Sequence, residues 1–106
     1  MKGLTRMEEM ILLAILNLKG EAYLVAITDY LSKIISKKVS LTSVHLPLSR
    51  LEKQGLIESE LGKATAVRGG RRKKIYTITE RGFEELSEYR RISDKLWVNY
   101  SKLSIR

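Results

Sequence analysis

The chain has 106 residues, which fits one small domain and leaves no room for a second independent core. Hydrophobic residues make up 43 % and charged residues 30 %, and there is no cysteine. These values exclude a disordered tail, a disulfide scaffold and a thiolate metal site. The longest apolar run, Met10 to Leu16, is far short of the ~20 residues a membrane helix needs. It follows Glu8 and Glu9 rather than a basic flank, so no export signal is read and a cytoplasmic protein is expected. Twenty Lys and Arg against twelve Asp and Glu give a net charge of +8. Such a balance draws a small domain to polyanions through release of condensed counterions, so nucleic acid is the first partner to consider.

The first predicted helix opens on Thr5-Arg6-Met7-Glu8, a capping box, and Gly20 is its expected left-handed stop. Met7, Met10, Ile11, Ala14, Ile15 and Leu18 recur at helical spacing, while Leu12, Leu13 and Leu16 fill the other side. A helix apolar nearly all round needs cover on two faces, which points to a partner subunit. A second stripe comprises Tyr23, Ala26, Ile27, Tyr30, Leu31 and Ile34, running out in Ser36-Lys37-Lys38. A third, Leu41, Val44, Leu48 and Leu51, stops at Gly55. Three helices in this span form the skeleton of a helix-turn-helix.

Beyond Gly55 the period changes to two. Ile57, Ser59 and Leu61 alternate with Glu58 and Glu60, and Ile75, Thr77 and Thr79 with Tyr76 and Ile78, predicting two short strands. Between them, residues 62–74 hold Lys63, Arg68, Arg71, Arg72, Lys73 and Lys74 without one acid, and Gly69-Gly70 marks the reversal. A basic hairpin after three helices reads as a wing. From Thr79, an N-cap candidate, helical spacing returns up to the C-terminus. Leu86, Tyr89, Ser93, Leu96, Tyr100 and Leu103 recur at intervals of three and four, the seam of a paired helix. The expected fold is therefore α+β, mainly α. It consists of a winged helix-turn-helix over residues 1–79, the DNA-binding part, and a C-terminal dimerisation helix over 80–106.

Opposite the apolar stripe of the third helix lie Thr42, His45, Leu46, Ser49 and Lys53, flanked by Ser43 and Arg50. Short hydroxyls, an imidazole and cations reach base edges or phosphates from a helix in the major groove, and Leu46 suits a thymine methyl. An isolated helix with this composition would be an ordinary solvated face; its place before a basic wing decides for DNA. In the wing, Arg68, Arg71, Arg72, Lys73 and Lys74 are the expected contacts to phosphate or minor groove.

Two runs carry a resemblance. Ser43-Val44-His45-Leu46-Pro47-Leu48-Ser49-Arg50-Leu51-Glu52-Lys53-Gln54-Gly55-Leu56-Ile57 resembles the recognition helix and first strand of PadR-family transcriptional regulators. Arg68-Gly69-Gly70-Arg71-Arg72-Lys73-Lys74-Ile75-Tyr76-Thr77-Ile78-Thr79-Glu80-Arg81-Gly82 is similar to that family's wing and to the Thr-x-x-Gly start of its last helix. Glu21-Ala22-Tyr23 is similar to the start of its second helix. The resemblance implies a winged-helix dimer, closed by C-terminal helices, that binds double-stranded DNA as a transcriptional regulator. His45 stands where the family often has Tyr, and Pro47 falls inside the recognition helix, where its missing N–H bends a helix.

The expected dimer interface comprises Ile11, Leu12, Leu86, Tyr89, Ser93, Leu96, Tyr100 and Leu103. Tryptophans on the last helix of multidrug-sensing relatives stack planar ligands. By that resemblance Trp97, with Tyr100, Met7 and Met10, is a candidate site for a planar aromatic effector, set against a plain interface role. Catalysis has no support: His45 is the only histidine, and Glu58 and Glu60 read as solubilising acids on an exposed strand. No cofactor and no metal is implied. Repression of a two-half-site operator is the expected function. An RNA-binding winged helix and a protein-interaction module remain as alternative readings.

Overall fold

The computed structural model describes residues 3–62 and 72–100. Its order is α1 (Arg6–Leu18), α2 (Leu24–Ile35), α3 (Leu41–Lys53), β1 (Ile57–Leu61), β2 (Lys74–Ile78) and α4 (Glu80–Trp97). β1 and β2 pair antiparallel in a two-stranded sheet, with Ile57 opposite Ile78 and Leu61 opposite Lys74. Three helices followed by a hairpin and a fourth helix make a winged helix.

The capping box at Thr5 forms in full. The Glu8 amide donates to Thr5 Oγ1 at 3.1 Å, and the Thr5 amide donates to Glu8 Oε1 at 2.8 Å. Such a cap is worth ~1 kcal/mol. The helix stops one residue before the expected glycine, because Lys19 already takes the left-handed conformation (φ 45°) and Gly20 follows it there. α3 ends in a full Schellman motif. The Leu56 amide donates to the Leu51 carbonyl, and that of Gly55 to the Glu52 carbonyl, both at 3.0 Å, with Gly55 at φ 76°. That glycine turns the chain directly into β1.

The core is built from Ile11, Leu12, Ala14 and Ile15 of α1, Ile27 and Leu31 of α2, and Val44, Leu48 and Leu51 of α3. Ala22, Leu56, Ile57, Tyr76 and Leu86 close it. Each fully buried aliphatic side chain here contributes ~1.5–3 kcal/mol of transfer free energy. α1 is the central helix, packed against α2, α3, β2 and α4. This corrects one expectation: Ile11 and Leu12 are both 0 % exposed within the single chain and offer no surface to a partner. The second face of α1 is covered only in part by its own protomer, since Leu13 is 41 % exposed and Leu16 half-buried.

The α2 stripe is also rotated from the expected one. Ile34 is 65 % exposed, while Thr28 is buried, its hydroxyl donating to the Leu24 carbonyl at 2.8 Å. In the hairpin, Tyr76 and not its neighbours turns inward. Its amide donates to the Ala22 carbonyl at 2.8 Å, tying β2 to the loop before α2.

α4 is fastened at its start and half-buried along one side as far as Ser93. Thr79 Oγ1 caps it by accepting from the Gly82 amide at 3.1 Å and donates to the Gly55 carbonyl at 2.7 Å. Only Gly82 and Leu86 are buried along the helix. It runs to Trp97, and Val98–Asn99 form a turn; residues 101–106 of the expected dimerisation helix lie outside the described residues. The radius of gyration, 16.1 Å, exceeds the ~13 Å of a compact chain this long.

Candidate nucleic-acid interface

The turn from α2 into α3 sets the angle of the reading helix. Ser36 closes α2 in the left-handed conformation (φ 62°), and Ser32 Oγ accepts the Val39 amide at 3.0 Å. Ser40 then caps α3 by accepting the Ser43 amide at 3.1 Å. With Val44, Leu48 and Leu51 buried, helical geometry turns Thr42, Ser43, His45, Leu46, Arg50 and Lys53 outward; all are exposed, and Ser49 is half-buried. The Ser43 hydroxyl donates to the Ser40 carbonyl at 2.8 Å, so its proton is committed to the helix cap. Leu46, 55 % exposed in the middle of a polar face, is an apolar side chain left for a ligand to cover. Pro47 faces the core, and α3 continues through it.

The root of the wing lies against this helix. Tyr23, Leu24 and Val25 from the start of α2, His45 and Ser49 from α3, and Lys73, Lys74 and Tyr76 from the wing line one groove of about 360 Å³. Lys73 Nζ sits 4.0 Å from the centre of the Tyr23 ring, a cation–π contact that holds the ammonium at the groove. Arg72 Nε donates to the Gly62 carbonyl at 2.8 Å, fixing the guanidinium across the hairpin. Lys74 is differently placed: its ammonium lies 3.4 Å from Glu52 Oε1. Burial pushes the Tyr76 phenol above its usual range; the Lys74 charge opposes this and the Glu52 carboxylate reinforces it.

The groove thus brings together His45 and Ser49 of α3 with Lys73 and Lys74 of the wing root, while Thr42, Ser43, Leu46, Arg50, Lys53 and Arg72 do not line it. Arg68 and Arg71 lie outside the described residues. Two side chains of this surface had not been singled out as site residues from the sequence. Tyr23 was read as a stripe position and as part of the start of the second helix, and Glu52 only within the run that carries the family resemblance. Glu58 and Glu60 are both exposed on β1. Among the described residues, no group of three His, Asp or Glu gathers as a metal site.

On α4, Leu86 is buried in the protomer core, Tyr89 and Ser93 are half-buried, and Leu96 and Tyr100 are 80 % and 57 % exposed. Leu103 lies outside the described residues. Trp97, 59 % exposed, meets Tyr100 edge to face with ring centres 4.8 Å apart. Met7 and Met10 are partly buried and pack against the core.

A recognition helix with a polar outer face beside a cationic hairpin defines a winged-helix protein. The chain belongs to the PadR-like family of transcriptional regulators, whose sequence model matches residues 12–88. The structure is similar to that of a PadR-like transcriptional regulator from Bacillus cereus. That pair is 31 % identical with a TM-score of 0.72, over 91 % of this chain and 88 % of the other. A PadR-family transcriptional regulator from Eggerthella lenta is 25 % identical with a TM-score of 0.68, over 88 % of this chain and 79 % of that one. Bacillus subtilis PadR, solved in complex with operator DNA, shares the fold at 23 % identity and a TM-score of 0.60. The match covers 76 % of this chain and 45 % of that one. No curated protein matches the sequence. Among the described residues, no helix is long and apolar enough to cross a membrane.

Proposed function

We propose that this regulator is a homodimeric repressor that reads two half-sites of double-stranded DNA, with α3 in the major groove and the wing on the backbone. The observation that carries the reading is the shared groove, where His45 and Ser49 of α3 meet Lys73 of the wing root. Base-reading and phosphate-binding groups then address one duplex at once, as specific binding requires. The operator complex of Bacillus subtilis PadR supports duplex DNA as the partner. Dimerisation through α4 is supported by Leu96, Trp97, Val98 and Tyr100, an exposed apolar cluster at the end of α4 and just beyond it. Two copies related by a two-fold axis present two α3 helices, hence two half-sites. Occlusion of a promoter needs no contact to polymerase, which favours repression. The Trp97–Tyr100 pair offers the aromatic edge and face on which a flat effector would stack.

The test is the salt dependence of duplex binding. Wild type should lose affinity steeply with salt, and R72A/K73A should weaken binding alike on all sequences, flattening the log–log slope by roughly 0.9 per lost phosphate contact. An unchanged slope would remove the wing root from the interface. A preference for matched RNA over duplex DNA would replace the ligand.

A further inference from the structure

Glu52 is an acid on a surface otherwise furnished with cations. It sits one residue before the end of α3, half-buried, between Arg50 and Lys53. Its two carboxylate oxygens do different things. Oε2 accepts a hydrogen bond of 2.5 Å from the Ser59 hydroxyl on β1. Oε1 accepts from the Lys74 ammonium on β2 at 3.4 Å. In the hairpin register Ser59 faces Tyr76 and Leu61 faces Lys74, so Ser59, Tyr76 and Lys74 share one face of the sheet. Tyr76 is buried, which identifies that face as the one lying on the body. A single carboxylate of the reading helix therefore grips both strands of the wing.

A carboxylate near a DNA backbone repels it, and a lysine paired with that carboxylate is not free to neutralise a phosphate. Phosphate contacts fix register but carry no sequence information. From the geometry we infer that Glu52 is a positioning residue for DNA reading. It locks the root of the wing at one setting against α3 and withholds Lys74 from the backbone, giving up non-specific affinity for a fixed register. The inference rests on the DNA-binding function proposed above.

Two kinds of measurement on the full chain test it. On random duplex, E52Q removes the charge and keeps an acceptor for Ser59. It should bind several-fold more tightly than wild type, with a salt slope steeper by about 0.9 for each phosphate gained. The ratio of operator to random affinity should fall roughly tenfold as the register loosens. E52Q matching wild type in slope and ratio overturns the inference. Amide exchange in the free protein addresses the brace without DNA. E52A should speed exchange at 59–61 and 74–76 while the α1 amides stay protected, and equal protection there would refute the brace. If wild type shows no salt-dependent duplex binding, the DNA-reading function fails, and the role assigned to Glu52 in it fails too; the exchange data still report on the brace alone.

Discussion

Replacing Gly82 with alanine is expected to lower the thermal midpoint by about 10–20 °C. A Cβ at that position would lie 2.0 Å from the Leu56 carbonyl oxygen and 2.8 Å from Ile78 Cγ1. The nearer atom is backbone, so no flexible side chain can move aside. That carbonyl also accepts the Thr79 amide at 3.0 Å, so shifting it breaks the bond that leads the chain into α4. Overpacking of this kind costs ~1–3 kcal/mol or more, and a domain this small loses ~4–8 °C per kcal/mol. Circular dichroism of G82A on heating checks it. A midpoint within about 2 °C of wild type would contradict the close approach of α4 to the α3–β1 turn. The Thr-x-x-Gly pattern seen in the sequence has its physical reason here: Thr79 caps, and Gly82 lets the capped helix seat against Leu56.

The second large effect is on assembly. L96D/Y100D is expected to convert the proposed dimer into monomers, moving the mass in solution from twice 12.2 kDa to 12.2 kDa. Both side chains are more than half exposed in the protomer. Surface changes of that kind shift the stability of a monomer by only about ±0.5 kcal/mol, so a loss of dimer would report an interface and not a damaged fold. Two apolar side chains per subunit, each contributing ~1.5 kcal/mol on burial, weaken association on the order of 10⁴-fold when removed. Unpaired carboxylates buried in their place add to that. Sedimentation equilibrium at micromolar concentration decides it. A wild-type chain that sediments as a monomer would sink the proposed dimer outright.

Much of the fold is legible because it is written in local chemistry. The capping box at Thr5, the glycine after α3 and the change of period at Ile57 each need only neighbouring residues to act. What the sequence conceals is which partner covers each face. α1 looked doubly apolar and so seemed to await another subunit, yet α2, α3, β2 and α4 of its own protomer cover most of it and leave Leu13 outside. Thr28 looked polar but satisfies its hydroxyl on its own helix and is buried, while the apolar Ile34 is left outside. The outer face of α3 was readable by subtraction, since Val44, Leu48 and Leu51 fix what must point away. The tie from Glu52 to Ser59 and Lys74 was not, because it depends on the register of a hairpin whose strands are joined through a long basic segment. Counting cations in that segment gave its sign but not its engagements. Lys73 lies on an aromatic ring, Arg72 on backbone carbonyls and Lys74 on an acid, three different tethers for three adjacent charges.

In the function proposed above, the outer face of α3 reads base sequence while the wing root holds the backbone. Selection of bound fragments from random duplex DNA, carried out in parallel with wild type, H45A, S49A and R72A/K73A, tests it most directly. Wild type should select a two-fold symmetric pair of half-sites about one helical turn, or a multiple of it, apart. H45A and S49A should change the bases preferred within each half-site, at about 1–3 kcal/mol per lost base contact, while R72A/K73A should select the wild-type sequence at lower affinity. Contradiction would take the form of identical selected sequences from wild type, H45A and S49A, or of no enriched sequence from wild type at all.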